Sequence, residues 1–186
     1  MAFDHRDGVA ASPYAPVMGR TFVDFDETGP LTVLDERRAA LLSAWATRII
    51  PADGPWPAAG DLDTVAYIDA VLRKARELRP VVLAGIDAVD AAASAAHDAP
   101  FAELDEPAQI AILQEAEKTT APVAFSIVLE LTYEAYYRAP SVQQVVKDVT
   151  GFDVRNTVDG KKMAPFPTER MLEVGARPDR FRSVPA

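Results

Sequence analysis

Residues 122–138 read PVAFSIVLELTYEAYYR, and this stretch decides the fold of the chain. Apolar side chains occur on nearly every side of a helix drawn through it, whereas a surface helix carries them on one stripe. We therefore predict a helix over Pro122–Arg138 in a central position, wrapped by other helices. The segments on both sides of it also carry helical patterns.

Three helices are predicted upstream. The first covers about 34–50, and Thr32–Asp35 is predicted to form a capping box at its start. Pro51 ends this helix, because a proline disfavours the helical conformation in the residue before it. A second helix covers about 63–79, and a third begins at Pro80, where the missing amide costs no hydrogen bond. The third carries its predicted buried stripe at Val82, Ile86, Val89 and Ala93.

Two shorter helices complete the pattern. Asp105 is a predicted N-cap, and Ile110 and Leu113 are expected to face inward from the helix that follows it. The last helix covers about 141–149 and ends at Gly151, a residue typical of left-handed helix ends.

These patterns predict an all-α fold, a compact helical bundle of about five to six helices with extended N- and C-terminal arms. The predicted parts are an N-terminal arm (1–31), a helical domain (32–150) and a C-terminal tail (151–186). The tail holds seven Lys/Arg and five Asp/Glu, a balance of +2. The other 150 residues hold 12 basic and 23 acidic side chains, a balance of -11.

The composition excludes several classes of chemistry. The chain has 186 residues, a net charge of -9, two histidines and no cysteine. Disulfides, thiolate metal sites and cysteine nucleophiles are therefore absent. The acidic balance argues against a nucleic-acid partner, because phosphate contacts need a face rich in Lys and Arg. No apolar run approaches the roughly 20 residues of a membrane helix, so no membrane span is expected.

The first 20 residues contain acidic side chains and prolines where an export signal has an apolar core. We therefore expect a cytoplasmic location, with a periplasmic location or export together with a partner as the alternative.

The candidate catalytic motifs are weak. The Asp4–Asp7 cluster is consecutive in sequence, and consecutive residues rarely converge on one ion. His97 lies at a predicted helix end, where the helix dipole favours an imidazolium. The segment around Gly160 lacks the glycine spacing of a phosphate loop. We assign no catalytic, cofactor-binding or metal-binding residue to this chain.

Aromatic side chains are the better candidates for function. Tyrosine combines a large apolar area with a polar tip, which suits protein interfaces. The arms also carry aromatic residues that have no core of their own to enter. We predict partner contacts for Phe22, Phe25, Trp56, Tyr136, Tyr137 and Phe166.

A family resemblance rests on several short strings in a fixed order. Residues 42–53 read LSAWATRIIPAD, and AAG at 58–60 and VAYID at 65–69 follow. FAEL begins at Phe101, QIAIL begins at Gln109, and a tyrosine-rich helix end leads to Pro140. Over about residues 34–150 the chain resembles the gluconate 2-dehydrogenase subunit 3 family.

The resemblance implies a non-catalytic small subunit of a heteromeric FAD-dependent oxidoreductase of the glucose–methanol–choline (GMC) type. Such a complex would oxidise a sugar, a sugar acid or a glycoside, with FAD held in the large subunit. The small subunit would stabilise that flavoprotein. The resemblance supplies no catalytic residue for this chain.

Two alternatives remain open from the sequence. One is a stand-alone helical hydrolase with a carboxylate-bound metal. The other is a helical adaptor for an unrelated partner.

Overall fold

The computed structural model describes residues 28–153, and these form an all-α bundle, which confirms the predicted fold class. Only an isolated bridge between Asp53 and Trp56 represents extended pairing within this range. Two single-turn 3-10 helices and a five-residue π-helical turn connect the longer elements. The six α-helices are α1 (Glu36–Ile49), α2 (Thr64–Lys74), α3 (Arg79–His97), α4 (Glu106–Glu115), α5 (Pro122–Arg138) and α6 (Pro140–Thr150).

The predicted arms and tail lie outside the described residues, apart from 28–31 and 151–153. Phe22, Phe25 and Phe166 are therefore also outside them. None of the helices in the described range is both long and apolar enough to cross a membrane.

The core lies where α1, α2 and α3 pack around α5. Trp45 of α1, Tyr67 of α2 and Phe101 after α3 are among its largest fully buried side chains. The predicted stripe of α3 is buried at all four positions, which confirms it.

α3 and α5 approach each other closely at one glycine. A Cβ atom added to Gly85 would lie 2.1 Å from the Cβ of Ala124, far inside van der Waals contact. The absence of a side chain at Gly85 and the small side chain of Ala124 therefore allow the two helices to pack at short range.

The helix ends follow the sequence signals with two exceptions. The first is the end of α2 at Lys74, five residues before its predicted end near residue 79. Asp105 caps α4 by accepting a hydrogen bond from the Ala108 amide at 3.0 Å, and Gly151 ends α6 with φ of +73°. The predicted capping box at Thr32 is wrong. Asp35 caps α1 instead, and the Thr32 side chain turns to a carboxylate of α2.

Two packing predictions need correction. Ile110 does not face inward; it is 37 % exposed, while Leu113 on the same helix is buried. α5 is not wrapped on every side either, because Val123, Tyr133 and Tyr137 are exposed along it. The high apolar content of α5 thus reflects a buried face and a second, uncovered apolar face.

Candidate partner-binding surface

A groove of about 260 Å³ lies between the end of α1, α4 and the middle of α5. Most of its wall is apolar, and Arg48 and Glu117 are its two charged lining residues. We call it the aromatic groove, and its lining residues are Arg48, Ile49, Ile110, Leu113, Gln114, Glu117, Phe125, Leu129 and Tyr133.

One stripe of α5 forms the long side of this groove and continues past it. Phe125, Leu129, Tyr133 and Tyr137 follow one another at intervals of four residues, so they share one helix face. Phe125 is half-buried, with its ring centroid 5.7 Å from that of Trp45. Tyr133 is 44 % exposed and Tyr137 is 56 % exposed. The stripe therefore emerges from the core and becomes surface toward the end of α5.

Tyrosine rings connect the groove to a neighbouring turn. Tyr133 stacks on Tyr137 with ring centroids 6.4 Å apart, and Tyr137 meets Tyr136 edge-on at 5.3 Å. The Tyr136 hydroxyl donates a hydrogen bond to the Pro57 carbonyl at 3.1 Å. Burial raises the pKa of Tyr136, so its hydroxyl stays protonated as a donor. The aromatic groove and this turn are thus parts of one continuous region.

The turn itself is held tightly. Asp53 and Trp56 exchange two backbone hydrogen bonds of 3.0 and 2.9 Å around Gly54, whose φ of +54° favours glycine. The Ala59 amide donates to the Ile50 carbonyl at 2.9 Å. At Gly60 an added Cβ would lie 2.1 Å from the Thr47 hydroxyl oxygen, which leaves no room for a side chain.

The aromatic groove carries a net negative charge. Arg48 is neutralised by an ion pair with Glu106, at 2.7 Å between nitrogen and oxygen. Glu117 is exposed, and its carboxylate has no ion-pair partner in the part of the chain that the structure describes. A ligand of this groove would therefore meet an apolar wall with one uncompensated carboxylate.

Asp69, a buried acid of α2, holds the segment before α1. Its two carboxylate oxygens accept hydrogen bonds from the backbone amides of Thr32, Val33 and Leu34, at 3.0, 2.8 and 2.8 Å. The Thr32 hydroxyl adds a fourth at 3.1 Å. Burial alone would raise the pKa of Asp69, but the hydrogen bonds outweigh it and the pKa is lowered. The Asp69 carboxylate therefore has a structural role.

Asp90, a buried acid of α3, has a similar structural role. It accepts a hydrogen bond from the Phe101 amide at 2.8 Å and from the Arg37 side chain at 2.6 Å. Arg38, which follows Arg37, makes two hydrogen bonds of 2.9 Å to Asp87, and these hold the pKa of Asp87 below its usual value. The two adjacent arginines of α1 therefore tie α1 to α3.

Titratable groups do not converge on a metal-like site within residues 28–153. No group of three or more His, Asp or Glu side chains there could hold a metal ion. His97 is exposed at the end of α3, beside Asp98, which ends the helix in the left-handed conformation.

The structure places the three described interface candidates differently. Tyr137 is at the surface, Trp56 is half-buried in the turn, and Tyr136 is packed inside the chain. Their role in partner binding stays a prediction. The predicted interface set leaves out Tyr133 and Ile110, which line the aromatic groove. The four-residue spacing from Phe125 to Tyr137 is the sequence signal for the stripe that contains Tyr133.

The comparison with known families gives one match. The family model described as gluconate 2-dehydrogenase subunit 3 matches residues 36–153, from the first residue of α1 to just beyond α6. This agrees with the resemblance read from residues 34–150. No curated protein and no solved structure gives a significant match to the chain.

Proposed function

The chain belongs to the gluconate 2-dehydrogenase subunit 3 family, and from this membership we propose that it is the non-catalytic small subunit of an FAD-dependent oxidoreductase. Its partner is a flavoprotein of the GMC type that oxidises a sugar, a sugar acid or a glycoside. The family is that of one subunit of a multi-subunit dehydrogenase complex, and this membership is the observation that carries the proposal.

The size of the grooves supports a cofactor held by the partner. Sites for drug-sized ligands and cofactors usually enclose roughly 300–1,000 Å³. The aromatic groove has about 260 Å³, and a second groove between α3 and α5 has about 240 Å³. Both suit a protein side chain better than a dinucleotide such as FAD.

The use of the buried acids also supports an accessory role. A general acid or base must reach the proton that it transfers. Asp69 and Asp90 are buried, and their oxygens already accept backbone and arginine hydrogen bonds. Their carboxylate oxygens are therefore already engaged in holding the fold together.

The proposed subunit acts by binding the folded form of the flavoprotein. Any molecule that binds only the native state stabilises it by mass action, by about 2.7 kcal/mol when its concentration is 100 times Kd. The oxidation itself takes place in the large subunit.

Co-expression tests the proposal. A GMC-type flavoprotein encoded by the neighbouring reading frame is produced alone, with this chain, and with an unrelated helical protein of similar size as the control. We expect soluble, FAD-loaded and active flavoprotein only with this chain, measured by flavin absorbance and dye reduction. A flavoprotein that is equally soluble, loaded and active alone would contradict the stabilising role. Co-purification of only flavin-free proteins would favour the adaptor alternative.

A further inference from the structure

We propose that the aromatic groove receives an apolar side chain of the flavoprotein subunit, flanked there by a Lys or Arg. This inference rests on the proposed function and specifies which face of the small subunit carries the contact.

Exposed apolar side chains stand on both sides of the groove. Ile110 on one side of the groove and Tyr133 on the other are 37 % and 44 % exposed, and both are large apolar side chains. Tyr137 extends the same surface and is 56 % exposed. Aromatic residues beside a concave apolar site are typical of the few positions that carry most of the binding energy of an interface.

Buried side chains support the groove from behind. Phe125 forms part of the floor and is fixed against Trp45, a fully buried side chain. Tyr137 touches Tyr136, which is fixed by its hydrogen bond to Pro57. A groove with a rigid floor loses little side-chain entropy on binding, so more of the contact energy appears as affinity.

Charge identifies the flanking group. The only cation that lines the groove, Arg48, is already paired with Glu106, whereas Glu117 has no ion-pair partner among the described residues. The whole chain also carries a charge of -9. A basic residue next to the inserted apolar side chain would compensate Glu117 and speed association with this acidic protein.

Two other apolar surfaces fit a partner less well. The groove between α3 and α5 has Gly85 and Ala124 in its wall and no charged lining residue, so it offers little to select a partner. The end of α6 exposes Val149 and Phe152, but these side chains line neither groove and so offer no concave surface for an inserted side chain.

A matched pair of variants tests the inference. Ile110→Asp puts a charge into the groove, and Val123→Asp puts one at a similarly exposed apolar position, 43 % exposed, in the other groove. Affinity is measured for the purified full-length chain and the FAD-containing large subunit, after circular dichroism shows that each variant is folded. We expect Ile110→Asp to raise Kd about tenfold or more, and Val123→Asp to change it less than about twofold. Glu117→Lys should raise Kd and weaken its salt dependence.

Cysteine labelling gives a second measurement that needs no destabilising change. The chain contains no cysteine, so an introduced one is the only site for maleimide. We expect the large subunit to protect Ile110→Cys from labelling and to leave Ala96→Cys, exposed on α3, reactive.

The outcomes separate the two levels of the proposal. A wild-type chain that binds no flavoprotein overturns both the function and the groove. A wild-type chain that binds it, with Ile110→Asp binding equally well or Ile110→Cys remaining unprotected, overturns the groove alone. Equal losses in Ile110→Asp and Val123→Asp also overturn the groove, because the effect would then be unspecific.

Discussion

The two halves of α1 are held in different ways. Its beginning is fixed by carboxylates, since Asp69 holds the residues before it and Asp87 and Asp90 bind the two arginines of its first turn. Its end contributes Arg48 and Ile49 to the aromatic groove, where apolar side chains and a carboxylate meet solvent. The first region satisfies its polar groups within the chain, and the second leaves apolar side chains and the Glu117 carboxylate at the surface. If the aromatic groove binds the partner as we propose, stability and recognition are separated along one helix.

The largest expected effect lies in the first region. Asp69→Ala removes the acceptor of three backbone amides and one hydroxyl, and we expect it to lower the free energy of unfolding by about 3 kcal/mol. Urea unfolding followed by circular dichroism measures this change. Asp63→Ala is the control, because Asp63 is exposed and makes no capping hydrogen bond from its side chain. Equal stability of the two variants would contradict the role of Asp69 in holding the residues before α1.

The same residue makes this region sensitive to acid. The pKa of Asp69 in the folded chain is lower than its unfolded value of about 3.9. Its contribution to stability is therefore complete above about pH 5 and is lost as the pH falls through the folded-state pKa. The stability difference between wild type and Asp69→Ala should shrink below about pH 4.

An intermediate effect is expected at the turn behind the groove. Gly60→Ala forces a methyl group against the Thr47 hydroxyl and to 2.3 Å from the Ser43 carbonyl oxygen, both on α1. We expect a loss of about 2 kcal/mol, because the clash with backbone cannot relax without moving α1. Thermal unfolding measures it. Gly29→Ala, with nothing within 4 Å of the added methyl group, is the control and should change stability by less than about 0.5 kcal/mol. A similar Tm for both variants would show that the end of α1 is loosely held.

The smallest expected effect compares two neighbouring tyrosines. Tyr136→Phe loses the hydrogen bond to Pro57 and should cost about 1 kcal/mol of unfolding free energy. Tyr137→Phe keeps the exposed ring and should leave stability unchanged, although the residue lies beside the aromatic groove. Urea unfolding of both variants measures the free energy of unfolding and shows which of the two tyrosines stabilises the fold. Equal losses would mean that Tyr137 also serves the fold.

The sequence predicts the helices well because their signals are local. Asp105, Gly151 and the α3 stripe depend on spacing within a few residues, and the structure confirms them. The start of α1 was less predictable. Thr32 is hydrogen-bonded to Asp69, a residue 37 positions away, and this contact overrides the local capping pattern.

The candidate surface could be predicted only in part. Tyr136 and Tyr137 are adjacent and equally aromatic, but only the tertiary packing of α5 decides that the first is buried and the second exposed. Ile110 was assigned to the core because it is apolar. An apolar residue that lines a surface groove has the same spacing along its helix as one that enters the core. Exposure is a property of the assembled helices, so it does not appear in the order of residues on one of them.

α6 starts inside the bundle and ends at its surface. Val142 in its first turn is fully buried, Val145 is half-buried, and Val149 in its last turn is exposed. Local opening costs less free energy where fewer apolar contacts hold a helix. Backbone amides at the end of α6 should therefore exchange their hydrogens through local fraying, while those beside Val142 exchange only when larger parts of the bundle open. A single helix thus contains a gradient of protection against exchange, set by how far each turn lies from the core.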